Sequence, residues 1–332
     1  MSARLGEVNH SVSSDVECNS DASSNFNTAC NHGAESCESA ASNFNTACVI
    51  LNYNDAERSA ALAKHVSNFN SIQAIIIVDN CSTDSSRQKL ESLQIPKVNV
   101  LFGEKNGGYG AGNNAGIRFA QKIGCKYVVI ANPDTEFDEE LVVAAINELE
   151  ADANCAVCSA VQLDIDSNQV AIAAWHLPTA AQCLVASEGI FKRLVPSPAV
   201  KQGEIESSDV ITVGCVPGAM LVTRVDYFLE AGGYDEAIFL YCEETCLGLR
   251  LAKMGYTTKL LTTKHYKHLH KQEESGAASS NLALRRAINL SRRYLLKEYY
   301  GVSGATLKIF DILCGLGLFE ERLKPRGQKR KA

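Results

Sequence analysis

Short apolar runs alternate with amphipathic stretches through the first half of the chain. ACVILN (47–52), AIIIVD (74–79), KVNVLF (97–102), KYVVIA (126–131) and residues 154–161 are rich in β-branched residues. Runs that are apolar on both faces predict strands covered on both sides of a sheet. Between them, helices are predicted at 56–65, from the STDSS caps to about 93, from Ala111 to about Ile123 with Gly124 closing it, and at 138–149. Strand–helix units of this length predict an α/β fold with a doubly wound, mostly parallel sheet.

The second half is less regular. DVITVGCVPGAMLVTR (209–224) reads as strand, turn and strand, VDYFLEAGG as a short helix closed by glycine, and EETCLGLRLAKMG as a helix ending at Gly255. A basic strand or loop follows at 256–271, then a polar loop and helices near 278–299 and 304–320. Residues 1–44 are rich in Ser, Asn, Ala and Cys and hold SNFNTAC at 24–30, repeated at 42–48. This segment is expected to be a poorly ordered extension that docks weakly. The organisation is therefore an extension (1–44), a main domain (45–275) and a helical C-terminal extension with a basic tail (276–332).

Bulk composition narrows the class. The chain has 332 residues, 46% apolar and 21% charged, as in a globular protein with ample core. A net charge of −6 argues against a nucleic-acid partner, but the charge is uneven. Residues 285–332 hold 12 Lys/Arg against 4 Asp/Glu, a net +8, and the other 284 residues hold 20 against 34, a net −14. The basic end fits a solvated tail or contact with an anionic membrane surface. The two C-terminal helices fit packing on the main domain, on another subunit of a homo-oligomer, or beside a membrane. The 13 cysteines are odd in number and irregularly spaced, as in a cytoplasmic protein with reduced, buried thiols. CAVC (155–158) lies in a predicted strand without a second ligand pair, which favours core packing over zinc. No apolar run reaches transmembrane length and the N-terminus has no signal-peptide core. The expected location is cytoplasmic, with peripheral contact at the inner face of the membrane as an option.

The first four strand ends carry the chemistry: LNYN (51–54), VDNCSTDSS (78–86), GEKNGGYGAGNNAG (103–116) and ANPDTEF (131–137). Ligands of open α/β sheets bind beyond these ends. Asp and Asn also cap helices and turn chains, which accounts for one or two of the four. The glycine-rich run follows the third strand, so it is not the dinucleotide fingerprint, and no phosphate-loop motif is present. It fits a close approach of backbone to a ligand at a helix start. Asp134, with Glu136 nearby, suits a hard divalent ion held against a diphosphate.

VILNYN, IIIVDNCSTDSS, KNGGYGAGNNAGI, VVIANPDTEF, GAMLVTR, GGYDEAIFLYCEETCLGLRLAKMGY and HLH together resemble the inverting, nucleotide-sugar-dependent glycosyltransferases of family 2, with the GT-A fold. Within that family they are most similar to bacterial rhamnosyltransferases of surface polysaccharide assembly. The resemblance spans roughly 47–300. It implies that Asn52 and Tyr53 line the nucleotide site, that Asp79 bonds the pyrimidine base and that Asn80 shapes its pocket. Gly107, Gly108 and Asn114 would lie near the nucleotide-sugar, and Gly218, Ala219 and Met220 beside the donor sugar and acceptor. Asp134 would be the metal-binding acid of a D-x-D-type motif that here reads Asn132-Pro133-Asp134, with Asn in the first place as in many relatives. His268 would approach Mg²⁺ or Mn²⁺ or the diphosphate. The implied donor is a dTDP- or UDP-linked sugar, and the implied acceptor is a hydroxyl of a glycan or lipid-linked glycan.

Relatives usually read Glu-Asp where this chain reads Glu243-Glu244. The resemblance makes Glu244 the catalytic base and Glu243 its support. Cys246 stands where relatives often carry a further acid. Helical spacing places Glu243, Leu247 and Leu251 on one stripe and Glu244 about 100° around from it, so the two acids are a poor metal pair. First-turn carboxylates also favour the helix dipole without any catalytic task. Two other readings of the whole stay open: a nucleotide-sugar-binding protein whose base has decayed, and a nucleotidyltransferase, for which LNYNDAERSA offers no triphosphate loop.

Overall fold

A computed structural model describes residues 26–29, 45–164, 169–185, 195–269 and 277–323. Its strands are β1 (Phe26–Ala29), β2 (Thr46–Asn52), β3 (Ala74–Asp79), β4 (Val98–Gly103), β5 (Tyr127–Ala131), β6 (Thr135–Glu136), β7 (Cys155–Asp164), β8 (Val170–Ile172), β9 (Val210–Val213), β10 (Met220–Arg224) and β11 (Thr257–His268). The helices are α1 (Ala56–Val66), α2 (Ser86–Glu91), α3 (Gly108–Lys122), α4 (Glu139–Ala151), α5 (Ala180–Val185), α6 (Gln202–Ile205), α7 (Val225–Glu230), α8 (Glu243–Lys253), α9 (Ala277–Tyr294) and α10 (Gly304–Leu323). A π-helical turn, Leu295–Tyr299, joins α9 to the loop before α10.

One sheet runs β1-β4-β3-β2-β5-β10-β7-β11-β6, with β8 on β7 and β9 on β11. β4, β3, β2 and β5 are parallel neighbours, and β11 is parallel to β7. β10 enters antiparallel between β5 and β7. The mostly parallel α/β sheet expected from the sequence is present. The four-strand run is apolar on both faces because α1 and α4 cover one side and α3 and α7 the other: Ile75 and Ile77 belong to one buried cluster, Ile76 and Val78 to the other.

Three departures bear on the site. The helix expected from Ala111 begins at Gly108. Its glycines 108, 112 and 116 fall on one face, and a Cβ there would strike the backbone of Phe239, the side chain of Leu51 and that of Val49. The glycine run therefore lets α3 sit close on the sheet and on the 234–242 loop, rather than leaving backbone free at a helix start. The N-terminal extension adds an edge strand, since Phe26–Ala29 pairs antiparallel with β4. Both copies of the repeat thus place Thr-Ala in a strand, Thr28-Ala29 in β1 and Thr46-Ala47 in β2. The rest of the expected disorder in 1–44 lies outside the described residues. The uncertain basic segment becomes β11, with a register shift between Leu261 and His265.

The C-terminal extension packs on the main domain. Leu295, Leu296, Leu307, Phe310 and Cys314 form a third buried cluster with Cys183, Ile238 and Cys246. Cys155 and Cys158 are buried in β7, and desolvation pushes Cys155 up to about 11 and raises Cys158 as well. They are neutral core thiols in no disulfide.

Candidate active site

The parallel strands end on one edge of the sheet, and the polar residues gather there. Asn52 and Asp79 are register partners on β2 and β3, both buried. Asn52 donates to Asp79 Oδ1 at 2.7 Å and to Ser82 at 3.1 Å, and its own oxygen accepts from Ser59 at 2.8 Å. Ser82 caps Asp79 from its hydroxyl and from its backbone N–H. The chain can bend this sharply because Asn54 and Cys81 take left-handed backbone, with φ of 57° and 60°. Tyr53 is exposed at this rim.

Asn80 ties the next loop down. Its amide donates to Asn106 at 2.9 Å and to the Gly108 carbonyl at 3.0 Å, while its oxygen accepts from Gly107 N–H at 3.3 Å. Gly108 N–H donates to Asn106 at 3.0 Å. The N–H groups of Gly107 and Gly108 are thus engaged within the protein. Asn114 is equally committed: it donates to the Tyr234 carbonyl and to Glu236, and accepts from Tyr234 N–H. It is a clip between α3 and the 234–236 turn.

On the other side of β2, Asn132 N–H donates to the Ala219 carbonyl at 2.8 Å, joining the NPD turn to the GAM segment. Met220, buried on β10, pairs with Ala131 on β5. β6 pairs antiparallel with the end of β11, opposing Thr135 and His268. That pairing brings His268 Nε2 to 3.1 Å from Asp134 Oδ1. Residues 134 positions apart in sequence meet as one oxygen and one imidazole nitrogen. Among the described residues no third His, Cys, Asp or Glu completes a metal cluster. His270, the second histidine of HLH, lies outside the described residues.

The acidic pair sits at the start of α8, behind Tyr241 and Cys242, both in left-handed backbone with φ of 71° and 74°. The stripe of Glu243, Leu247 and Leu251 is buried, as its spacing predicts. Glu243 is 2% exposed, and its Oε1 has no hydrogen-bond partner among the described residues. Glu244 keeps part of its surface in solvent, while its Oε1 accepts from Gly218 N–H at 3.1 Å. A Cβ on Gly218 would come within 2.8 Å of that oxygen and 2.9 Å of the Tyr109 hydroxyl, so this approach requires glycine. Desolvation raises both carboxyls. Repulsion from Glu244 adds to the effect on Glu243, which is pushed up to about 8. With its carboxyl pushed up to about 8, Glu243 holds a proton near neutral pH beside Glu244.

Several residues that complete this arrangement carry no signal in the linear sequence. Tyr109 donates to the Gly218 carbonyl, so α3 braces the loop that contacts Glu244. Asp235 accepts from the Tyr299 hydroxyl at 2.7 Å and the Tyr294 hydroxyl at 3.1 Å, and Ser291 donates to the Leu240 carbonyl at 2.7 Å. The C-terminal extension thus grips the loop leading into Glu243. Cys246 is fully buried beneath that extension, which explains a thiol where an acid would have to be desolvated.

Residues 48–199 match the family model described as glycosyl transferase family 2. The N-acetylglucosaminyl-diphospho-decaprenol L-rhamnosyltransferase of Mycobacterium tuberculosis (strain ATCC 25618 / H37Rv) is 27% identical over 213 residues, 61% of this chain and 68% of its own. The low-salt glycan biosynthesis hexosyltransferase Agl10 of Haloferax volcanii is 26% identical over 197 residues, 59% of this chain and 58% of its own. Two solved structures share the fold. GalNAc-T7 with UDP, GalNAc and Mn²⁺ aligns with a TM-score of 0.55 at 13% identity, covering 81% of this chain and 54% of that one. The mannosyltransferase PcManGT from Pyrobaculum calidifontis, in complex with GDP-Man and Mn²⁺, aligns with a TM-score of 0.50 at 14% identity, covering 84% of this chain and 73% of that one. Residues 48–199, a little under half of the chain, are thus similar to glycosyl transferase family 2, and the fold around them is the GT-A fold of glycosyltransferases.

Proposed function

We propose that this enzyme moves a sugar, with L-rhamnose the first candidate, from a pyrimidine nucleoside diphosphate to a hydroxyl of a glycan or lipid-linked glycan, with inversion. One observation carries the reading: Asp79, the Asp134–His268 pair and the Gly218–Glu244 contact lie along one strand-end edge of the sheet. A nucleotide pocket, a diphosphate site and a proton acceptor are the three parts that a single displacement needs. The rhamnosyl choice and the lipid-linked acceptor rest on the mycobacterial relative's name.

Asp79 faces the nucleotide end as an acceptor held by Asn52 and Ser82. Asp134 and His268 fit a divalent ion as two ligands of a shell that the donor's phosphates complete, an arrangement usual for Mg²⁺ and Mn²⁺. When bound, the ion supplies positive charge against the diphosphate. Glu244 takes the proton of the acceptor hydroxyl as that oxygen bonds to the anomeric carbon from the face opposite the phosphate. The bond from that carbon to the phosphate oxygen breaks, and the nucleoside diphosphate leaves with the electron pair. Burial raises Glu244 towards the range in which a carboxylate is a better proton acceptor. Glu243, behind it, is the supporting partner.

The test is transfer from dTDP-rhamnose and from UDP-hexoses by wild type and Asp134→Ala. Metal-dependent transfer that falls about 10–100-fold in the variant supports the reading. Wild-type rates that ignore both chelator and the Asp134 substitution contradict it. The decayed-base alternative draws its support from Glu244 and Cys246, and burial of Cys246 under the C-terminal helices accounts for that residue by packing instead.

A further inference from the structure

We propose that the outward face of α10, with the basic segment that follows it, docks this protein on an anionic phospholipid surface. The inference stands on the C-terminal helices and does not depend on the transfer reaction. α10 buries Leu307, Phe310 and Cys314 against the main domain. On the opposite side Ile309, Ile312, Leu316 and Phe319 are 54%, 63%, 54% and 58% exposed. At 100° per residue these four lie within a stripe about 80° wide. Four large apolar side chains, each more than half exposed on one stripe, differ from the scattered apolar residues of an ordinary surface.

The flanking charge says what covers the stripe. Residues 322–332 hold Arg322, Lys324, Arg326, Lys329, Arg330 and Lys331 and no acid. Glu320 and Glu321 precede them, and the net charge of residues 285–332 remains +8 against −14 for the rest. Such a dipolar chain turns its C-terminal end towards a negative surface and its body away. An apolar helix face beside a polybasic segment supplies the two signals that stable interfacial attachment needs. No described helix is long and apolar enough to cross a membrane, so α10 would lie in the interface plane. The Arg293–Asp311 ion pair at 2.9 Å fastens α9 to α10, so the surface is carried on a fixed scaffold. Phe239 and Leu290 are also exposed, and the hydrogen bond beside them, from Ser291 to the Leu240 carbonyl, ties α9 to the loop that leads to Glu243.

The test uses the full chain, sedimented with vesicles of phosphatidylcholine alone and with about a third phosphatidylglycerol. Two variants accompany it: Ile312→Glu with Leu316→Glu, and Lys329→Glu with Arg330→Glu and Lys331→Glu. Leu316→Ser replaces the first if thermal melts show that it misfolds. Wild type is expected to bind the anionic vesicles at least about tenfold more tightly than the neutral ones, with each variant losing about tenfold or more. Equal binding to both vesicles, no binding, or undiminished binding by the variants overturns the proposal. So does sedimentation velocity showing a wild-type dimer that Ile312→Glu with Leu316→Glu dissociates.

Discussion

Asp79 and Glu243 are both carboxylates and both 2% exposed, yet their surroundings are opposites. Asp79 sits among donors: the Asn52 amide and the Ser82 hydroxyl and N–H all point at it. Glu243 has a neighbouring acid and an oxygen without a partner among the described residues. The first arrangement makes a fixed acceptor suited to one ligand group. The second makes a carboxyl that holds its proton beside Glu244, the proposed proton acceptor. Equal burial is therefore no guide to role; the donors around a carboxylate are.

This contrast gives predictions of decreasing size. Asp79→Ala should strand the Asn52 and Ser82 donors and cost about 3 kcal/mol or more, read from denaturant midpoints, along with loss of nucleotide binding. Gly112→Val forces a side chain into Leu51, where even a Cβ would come within 2.2 Å, and should cost about 1–3 kcal/mol by thermal melts. Glu243 is raised in the fold, so the native state holds more protons than the unfolded chain between the ordinary carboxylate value of 4.5 and about 8. Stability should therefore be fully present below that window and fall as pH rises through it, and Glu243→Gln should flatten the profile. Parallel profiles for wild type and variant would remove Glu243 from the proton-holding role. Tyr299→Phe removes one of the two phenols gripping Asp235 and should cost about 1 kcal/mol, with kcat falling more than KM changes. An unchanged kcat would make that grip purely structural.

Much of the sheet was legible because its strands are written as β-branched runs: AIIIVD can only be a strand covered on both faces, and it is. The strand-end polar residues were legible as a set, since Asp79 closes an apolar run that has no other use for a charge. The glycine-rich run fits a ligand at a helix start, and its spacing also serves close packing of α3 on Leu51 and Val49. That distinction depends on what lies opposite each glycine, which a linear pattern does not carry. The same holds for His268 meeting Asp134, which requires β6 and β11 to pair, and for Tyr294 and Tyr299 reaching Asp235 from the C-terminal extension. Residues 59 and 64 positions from their partner are joined by tertiary packing alone. Cys246 looked like a lost acid, and its burial under Leu295 and Phe310 shows why an acid would not fit.

In the proposed reaction Glu244 accepts the acceptor's proton while Asp79 and Asp134 hold the donor. Single-turnover transfer by Glu244→Gln, measured beside donor affinity by titration calorimetry, tests it most directly. The expected rate is lower by about 10²–10⁴-fold, with donor affinity within about twofold of wild type. A wild-type rate in Glu244→Gln, or a loss explained by weaker donor binding, would contradict it.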